Sequence, residues 1–336
     1  MSAVNVPGAG SGLVNEAVRA LAEGDFGVLA QRFSAAGFKV ELPAPGIISV
    51  KSARAPDCPS VLVSVGVHGD ETGPIEVLAH VLDALSRAPG ELAVDLMVCV
   101  GNVDAIAAGK RFIDADLNRM FRPVRGSLAE AAEAARADVM ITATDAFFKD
   151  AGAQRWHLDL HTAIRPSAYP TFAIVPDLIA EQGKRALVEW LGQAAIGAII
   201  MNPQSAGTYS YYSAEFHGAA GSTVELGRVG TLGQNDLSQF AAVGQALADL
   251  LRGAAPGAAK AEPHVFKVAQ QIMKLSDGFT MAFDGSTQNF TPMRQGEVIA
   301  TDGDTVYTVQ YAEELVVFPN PAVRVGLRAG LMVVRV

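Results

Sequence analysis

From Val61 onward the chain alternates short, unbroken apolar runs with longer segments whose apolar residues recur every three or four positions. The runs VLVSVGV (61–67), LAVDLMVCVGN (92–102), RWHLDLHTA (155–163) and TFAIVP (171–176) read as buried strands. Between them, PIEVLAHVLDALSRA (74–88), LAEAAEAARADVMITATDAFFKD (128–150), LIAEQGKRALVEWLGQA (178–194) and QNDLSQFAAVGQALADLLRG (234–253) carry the helical period. Strands alternating with helices predict an α/β domain: a largely parallel or mixed sheet with helices on its faces. Upstream, LVNEAVRALAEG (13–24) predicts a helix, a second short helix surrounds Phe33, and a strand or two lead into GIISVKS (46–52).

The texture changes after residue 253. The small-residue and proline stretch AAPGAAKAEP (254–263) reads as a linker. Beyond it, HVFKVAQQIMKL, FTMAF, GEVIATD, TVYTVQ, ELVVFP and LMVVRV are short strands separated by Gly, Asn and Asp turns. The expected division is therefore an α/β domain over residues 1–253, the linker over 254–263 and a smaller β-rich domain over 264–336. No internal repeat of about 20–50 residues is apparent.

Composition narrows the function. Half of the 336 residues are hydrophobic, so a large core is expected, and the net charge of −9 argues against a nucleic-acid or acidic membrane surface. No apolar stretch reaches the roughly 18 residues that span a bilayer, and no secretory signal is visible. Of the two cysteines, Cys99 sits in an apolar run and neither has ligand spacing. A soluble, cytoplasmic protein is expected, and a homo-oligomer is compatible with the sequence. Arginines gathered in one segment of so acidic a chain are informative, because they run against the background.

Four segments carry chemistry. In GVHGDE, His68 and Glu71 stand where a strand gives way to a helix, the usual place for a site in an open α/β sheet. Two such side chains on a tight turn can face one cation, although a pair alone is a weak signal. In WHLDLHTA, Asp159 and His161 share a strand face, with His157 in the same register. His161, at the strand end and about 90 residues past Glu71, is the natural third ligand. His157, deeper in the strand, reads as a satisfied core group or a supporting one. In GKRFIDADLNRMFRPVR (109–125), Arg111, Arg122 and Arg125 accompany Asp114, Asp116 and Asn118-Arg119. A solvated basic loop would look similar, but interleaved Phe112, Ile113, Leu117, Met120 and Phe121 argue for a loop packed down with its polar groups aimed. Guanidinium groups bind carboxylates bidentately, so an acidic small molecule would explain them. In STVELGRVG, Glu225 lies within an apolar run, where a carboxylate is costly unless it is paired or used. An edge-strand glutamate facing water is the alternative.

The ordered set GVHGDE, DADLNRMF, DLHT and VELG resembles the succinylglutamate desuccinylase/aspartoacylase family of zinc carboxypeptidase-like enzymes. DLHTAIRPS, GQNDLSQF and the tail VVFPNPAVRVGLRAGLMV look closer to its desuccinylase branch. The likeness runs from about residue 60 to the end. It implies one Zn²⁺ per subunit held by His68, Glu71 and His161, Glu225 as general acid/base, and Arg111 polarising the scissile carbonyl. It further implies that Asn118 and Arg119 hold a substrate carboxylate and that Asp116 hydrogen-bonds the far nitrogen of a zinc histidine. Arg165 is implied as a clamp on a second carboxylate, although Pro166 stands where that branch is expected to have glycine. The implied partner is a small acidic N-acyl amino acid, and the implied reaction is cleavage of N-succinyl-L-glutamate to succinate and L-glutamate, within arginine catabolism. An aspartoacylase-like or other N-acyl-amino-acid deacylase, or a non-catalytic zinc-stabilised binding protein, are the alternatives. His217 and Tyr209, Tyr211 and Tyr212 fall in GTYSYYSAEFHG, expected as a substrate-facing loop without individual roles.

Overall fold

The computed structural model describes residues 15–51, 58–255 and 257–336. Helices Glu16–Ala22 (α1) and Gly27–Ala35 (α2) lead into strands Lys39–Ala44 (β1) and Ile47–Lys51 (β2). The first residues of the 13–24 segment lie outside the described residues. The alternating part follows as Ser60–Val65 (β3), Thr72–Arg87 (α3), Asp95–Val100 (β4), Val103–Ala108 (α4), Glu133–Phe148 (α5), Arg155–Ala163 (β5) and Thr171–Pro176 (β6). It continues through Glu181–Gln193 (α6), Ala198–Asn202 (β7), Tyr209–His217 (α7), Ala220–Arg228 (β8) and Ala241–Leu251 (α8). The C-terminal segment is β: His264–Met273 (β9), Thr280–Met281 (β10), Thr291–Arg294 (β11), Val298–Asp302 (β12), Thr305–Thr308 (β13), Glu313–Val317 (β14) and Arg328–Arg335 (β15).

The expected mixed sheet flanked by helices, with a β-rich C-terminal part, is the observed architecture. All six residues of β3 are buried, and parallel strands β4 and β5 flank it. Burial on both faces is why these strands appear as unbroken apolar runs instead of alternating ones. Strand β8 lies parallel to β5, and β6 returns antiparallel beside it. Helix α3 lays Ile75, Leu78, Val81, Leu82 and Leu85 into the core shared with β3 and β4.

The sheet does not stop at the linker. Strand β9 pairs parallel with β7, and β15, β14 and β11 extend the same sheet to twelve strands in the order β1-β2-β4-β3-β5-β8-β6-β7-β9-β15-β14-β11. The connecting stretch is itself tied down, since the Lys260 and Ala261 backbone N–H groups both donate to Gly192 O, at 3.0 and 3.1 Å. A separate three-stranded sheet, β10-β12-β13, completes the C-terminal part.

Two local expectations differ from the structure. The alanine-rich segment expected as one helix from residue 128 starts its α-helix at Glu133; a tight turn over Gly126–Leu128 instead buries Leu128 and Ala131 in the cluster with Met120 and Phe121. The expected loop GTYSYYSAEFHG is mostly helix α7, closed by Gly218 in the left-handed conformation (φ 62). Tyr209 is consequently a core residue, stacked on Phe121 with ring centroids 4.4 Å apart, and His217 faces Asp145 at 2.8 Å. Among the described residues, no helix is long and apolar enough to cross a membrane.

Packing fixes the turn after β3. A side chain at Gly69 would run into the backbone of Ala105 and Ile106 in α4, while Gly69 N–H donates to Arg111 O at 3.0 Å. Gly69→Ala should therefore lower Tm by on the order of 5 °C, as read by calorimetry. An unchanged Tm would show that the turn tolerates a methyl group.

Candidate metal centre and active-site cavity

Strand β3 ends at Val65, and the chain turns through residues 66–71 before α3 begins at Thr72. Glu71 is the last residue of that turn (φ −94, ψ 72), so its side chain leaves from the strand-to-helix junction. His161 lies near the end of the neighbouring strand β5. These positions converge: His68 Nδ1 is 2.7 Å from Glu71 Oε1, and His161 Nδ1 is 2.8 Å from Glu71 Oε2. All three residues are buried, and one ligand atom of each lies within 4.8 Å of the others.

The outer ring nitrogens are also engaged. His68 Nε2 lies 2.9 Å from Asp116 Oδ1, and His161 Nε2 lies 3.0 Å from Asp159 Oδ2. A histidine held this way on a carboxylate has its ring and tautomer set for ligating a metal through the other nitrogen. Asp159 is held in turn by Ser64 Oγ, which donates to it at 2.5 Å. Ser64 also contacts His157, whose other nitrogen meets Ser213 Oγ at 2.7 Å. Burial drives His157 down to about 4, so it is a neutral support, in line with its depth in the strand.

The charges in the cluster stabilise one another. Burial alone would raise the Glu71 carboxyl, but His68 and His161 hold it well below its ordinary range. Burial alone would lower His161, but Asp159 and Glu71 outweigh it and raise that histidine well above its usual value. Two nitrogens and a carboxylate, each outer nitrogen on a further carboxylate, form a donor set that fits zinc, with room for further ligands.

Glu225 sits in β8 directly opposite His161 of β5. It is buried, and its Oε2 finds no hydrogen-bond partner among the described residues. Burial and the nearby Glu71 carboxylate push its carboxyl up to about 7, against the pull of His161, Arg111 and His68. The 109–125 loop packs through Ala115, Leu117, Met120 and Phe121. Arg111 donates to Glu71 Oε1 at 2.7 Å, and Asn118 Nδ2 lies 3.5 Å from His161 Nε2. Arg119 donates to Asn118 O at 2.6 Å, with Asp116 Oδ2 3.5 Å away. Arg125 turns from the site instead, onto Met120 O, Ala134 O and Asp138.

His68, Glu71, His161, Glu225, Arg111, Asn118 and Arg119 line one cavity of about 440 Å³, which also takes in Arg165. Arg165 donates to Gly285 O at 3.0 Å, so it is anchored to the C-terminal segment. Of the tyrosines, Tyr211 lines the cavity, whereas Tyr209 and Tyr212 do not. The C-terminal segment supplies part of the wall, including Asn289, Arg324 and Arg328.

Residues 57–251 match the family model described as the succinylglutamate desuccinylase/aspartoacylase catalytic domain, and residues 261–336 match the AstE/AspA barrel-sandwich hybrid domain. The chain belongs to the succinylglutamate desuccinylase/aspartoacylase family. It is 45% identical over 278 residues to a succinylglutamate desuccinylase of Burkholderia thailandensis, covering 82% of this chain and 79% of the relative. A Burkholderia lata protein of the same name is 46% identical over 277 residues, with the same coverage. Among solved structures, the succinylglutamate desuccinylase of Vibrio cholerae superposes with a TM-score of 0.82 at 32% identity, covering 89% of this chain and 88% of that one. This chain is accordingly an enzyme, a hydrolase of that family.

One residue that holds this family member's site together is invisible in the motifs. Glu133, the first residue of α5, accepts backbone N–H groups from Ile113, Asp114 and Ala115 at 2.6, 3.1 and 3.0 Å. It thereby fixes the loop that carries Arg111 and Asp116. Burial would raise its carboxyl, but these backbone donors hold it below the ordinary value. A folded value below the unfolded one means stability that is present above about pH 4.3 and lost as pH falls through the folded value. Glu133→Gln should lower stability by about 1–3 kcal/mol at pH 7 and raise KM. Denaturant titrations should show the gap between variant and wild type closing as pH falls below the ordinary carboxylate range and through the folded value, where the wild-type carboxyl itself becomes protonated. A gap independent of pH would remove the charge-based account.

Proposed function

We propose that the chain is a zinc-dependent amide hydrolase that cleaves N-succinyl-L-glutamate to succinate and L-glutamate. The observation that carries this reading is the convergence of His68, Glu71, His161 and Glu225 on one arginine-lined cavity. The names of the Burkholderia and Vibrio relatives support the substrate. His68, Glu71 and His161 would hold a single zinc ion, with Asp116 and Asp159 orienting the two histidines. Zinc there would supply Lewis acidity toward an amide carbonyl and toward water.

The remaining steps fall to the chain's own groups. Glu225 accepts a proton from the attacking water, and a carboxyl near 7 can return it to the departing nitrogen. Arg111 steadies the negative charge that develops on the carbonyl oxygen, a contact whose loss elsewhere costs roughly 10²–10³ in rate. The Asn118 amide is oriented by the backbone, since its Oδ1 accepts the Tyr209 N–H at 2.8 Å and leaves the donor side toward the cavity. With Arg119 it would grip one substrate carboxylate, and Arg165 would meet another. A cytoplasmic place in arginine breakdown follows from that substrate.

Two measurements test the reading. Zinc-reconstituted protein assayed against N-succinylglutamate, N-acetylaspartate and N-acetylglutamate should prefer the first. A preference for N-acetylaspartate would move the chain to the aspartoacylase side of the family. Glu225→Gln should lower kcat by roughly 10²–10⁴ while retaining zinc by elemental analysis. Wild-type kcat in that variant would sink the acid/base assignment.

A further inference from the structure

The cavity wall supplied by the C-terminal segment carries a cation that the groups described above leave unused. Arg328 opens β15 and lines the same cavity as His68, Arg119 and Glu225. Its Nη1 is buried and has no hydrogen-bond partner among the described residues. The other arginines of the cavity are engaged: Arg111 on Glu71, Arg119 on Asn118 O, Arg165 on Gly285 O and Arg324 on Asp114 O. Burial pushes the Arg328 guanidinium down, to about 9, with Arg119 acting in the same direction and Asp116 against it. It is therefore still a cation at neutral pH, under repulsion from a second one.

The same wall offers a further free donor. Asn289 is buried, and its Oδ1 accepts the Phe318 N–H at 2.8 Å, while its own N–H donates to Pro166 O at 2.9 Å. That arrangement fixes the amide's orientation and leaves Nδ2, which has no partner among the described residues. Buried donors without acceptors are costly, and a guanidinium repelled by another is stabilised by an anion placed to meet it.

We infer that Arg328 is a specificity-determining residue that receives one carboxylate of the substrate, so that the C-terminal segment takes part in reading its acidity. This rests on the proposed acidic N-acyl amino acid, which carries a carboxylate at the succinyl end and two at the glutamate end. The guanidinium offers a planar pair of N–H donors to a carboxylate, which relieves both its missing hydrogen bond and its repulsion from Arg119.

The test uses zinc-loaded Arg328→Met enzyme against N-succinylglutamate and the three analogues in which one carboxylate is replaced by methyl: N-butyrylglutamate, N-succinylnorvaline and N-succinyl-4-aminopentanoate. The variant should lose on the order of 10²-fold in kcat/KM, chiefly through KM, with the parent and two analogues. With the analogue lacking the carboxylate that Arg328 meets, it should stay within about threefold of wild type. Equal losses on all four substrates, or no loss on any, would overturn the inference. Should the methionine variant fail to fold, Arg328→Lys keeps the charge without the fork and should lose about tenfold, with the same analogue exempt. Calorimetric binding of succinate and of L-glutamate needs no turnover and separates this inference from the substrate reading. One of these anions should bind about tenfold more weakly to the variant, and equal binding of both would overturn Arg328's role even if another N-acyl amino acid proves to be the substrate.

Discussion

A carboxylate deprived of water must be met by positive charge or hydrogen-bond donors, and Glu71 sets that condition at the centre of this molecule. Its two oxygens meet His68, His161, Arg111 and the Thr162 N–H, contributed by a turn, a strand and a loop that are far apart in sequence. Without these partners the carboxylate would be an uncompensated ion in the interior, at a cost of several kcal/mol. The position of Glu71 at the start of α3 therefore dictates where β5 must finish and how closely the 109–125 loop must pack. Each histidine passes the demand outward to a further carboxylate, and Asp159 passes it on to Ser64.

The polar groups at the centre are thus nested, with apolar strands holding them in place. Strands β5 and β8 supply His161 and Glu225 in fixed register, so the distance between them is a property of sheet geometry and not of side-chain choice. The loop is the softer component. It lacks regular structure over most of its length, and its shape depends on apolar anchors below and the Glu133 carboxylate at its flank. Precision in the centre comes from the sheet, and precision at its rim comes from backbone hydrogen bonds to one buried acid.

How far this could be read from the sequence depended on distance along the chain. The alternating strands and helices were legible because β3 and β4 are buried on both faces and show it as unbroken apolar runs. His68, Glu71, His161 and Glu225 were legible because each sits in a short motif at a strand end, in an order that resembles a known family. Glu133 was not, because nothing in an alanine-rich helical segment announces that a glutamate caps a loop some twenty residues earlier. Arg328 was missed for a related reason: its strand was expected to begin at Leu331, and the extension to residue 328 comes from pairing with β9. The aromatic cluster at Tyr209–His217 read as a recognition loop because tyrosines suggest contact surfaces, whereas core packing and helix formation claim most of them.

The unbroken sheet from β7 into β9 constrains motion as well as shape. Parallel pairing of Ala198–Met201 with His264–Lys267 welds the wall bearing Arg328 to the strands next to the centre. A hinged lid would have to break that ladder on every cycle, at the cost of several backbone hydrogen bonds. Exchange of small molecules must then proceed past the loops that rim the cavity, without a swinging domain. A wall built into the sheet also has no domain closure to absorb misfit, so discrimination among substrates has to reside in the cavity's resting contours.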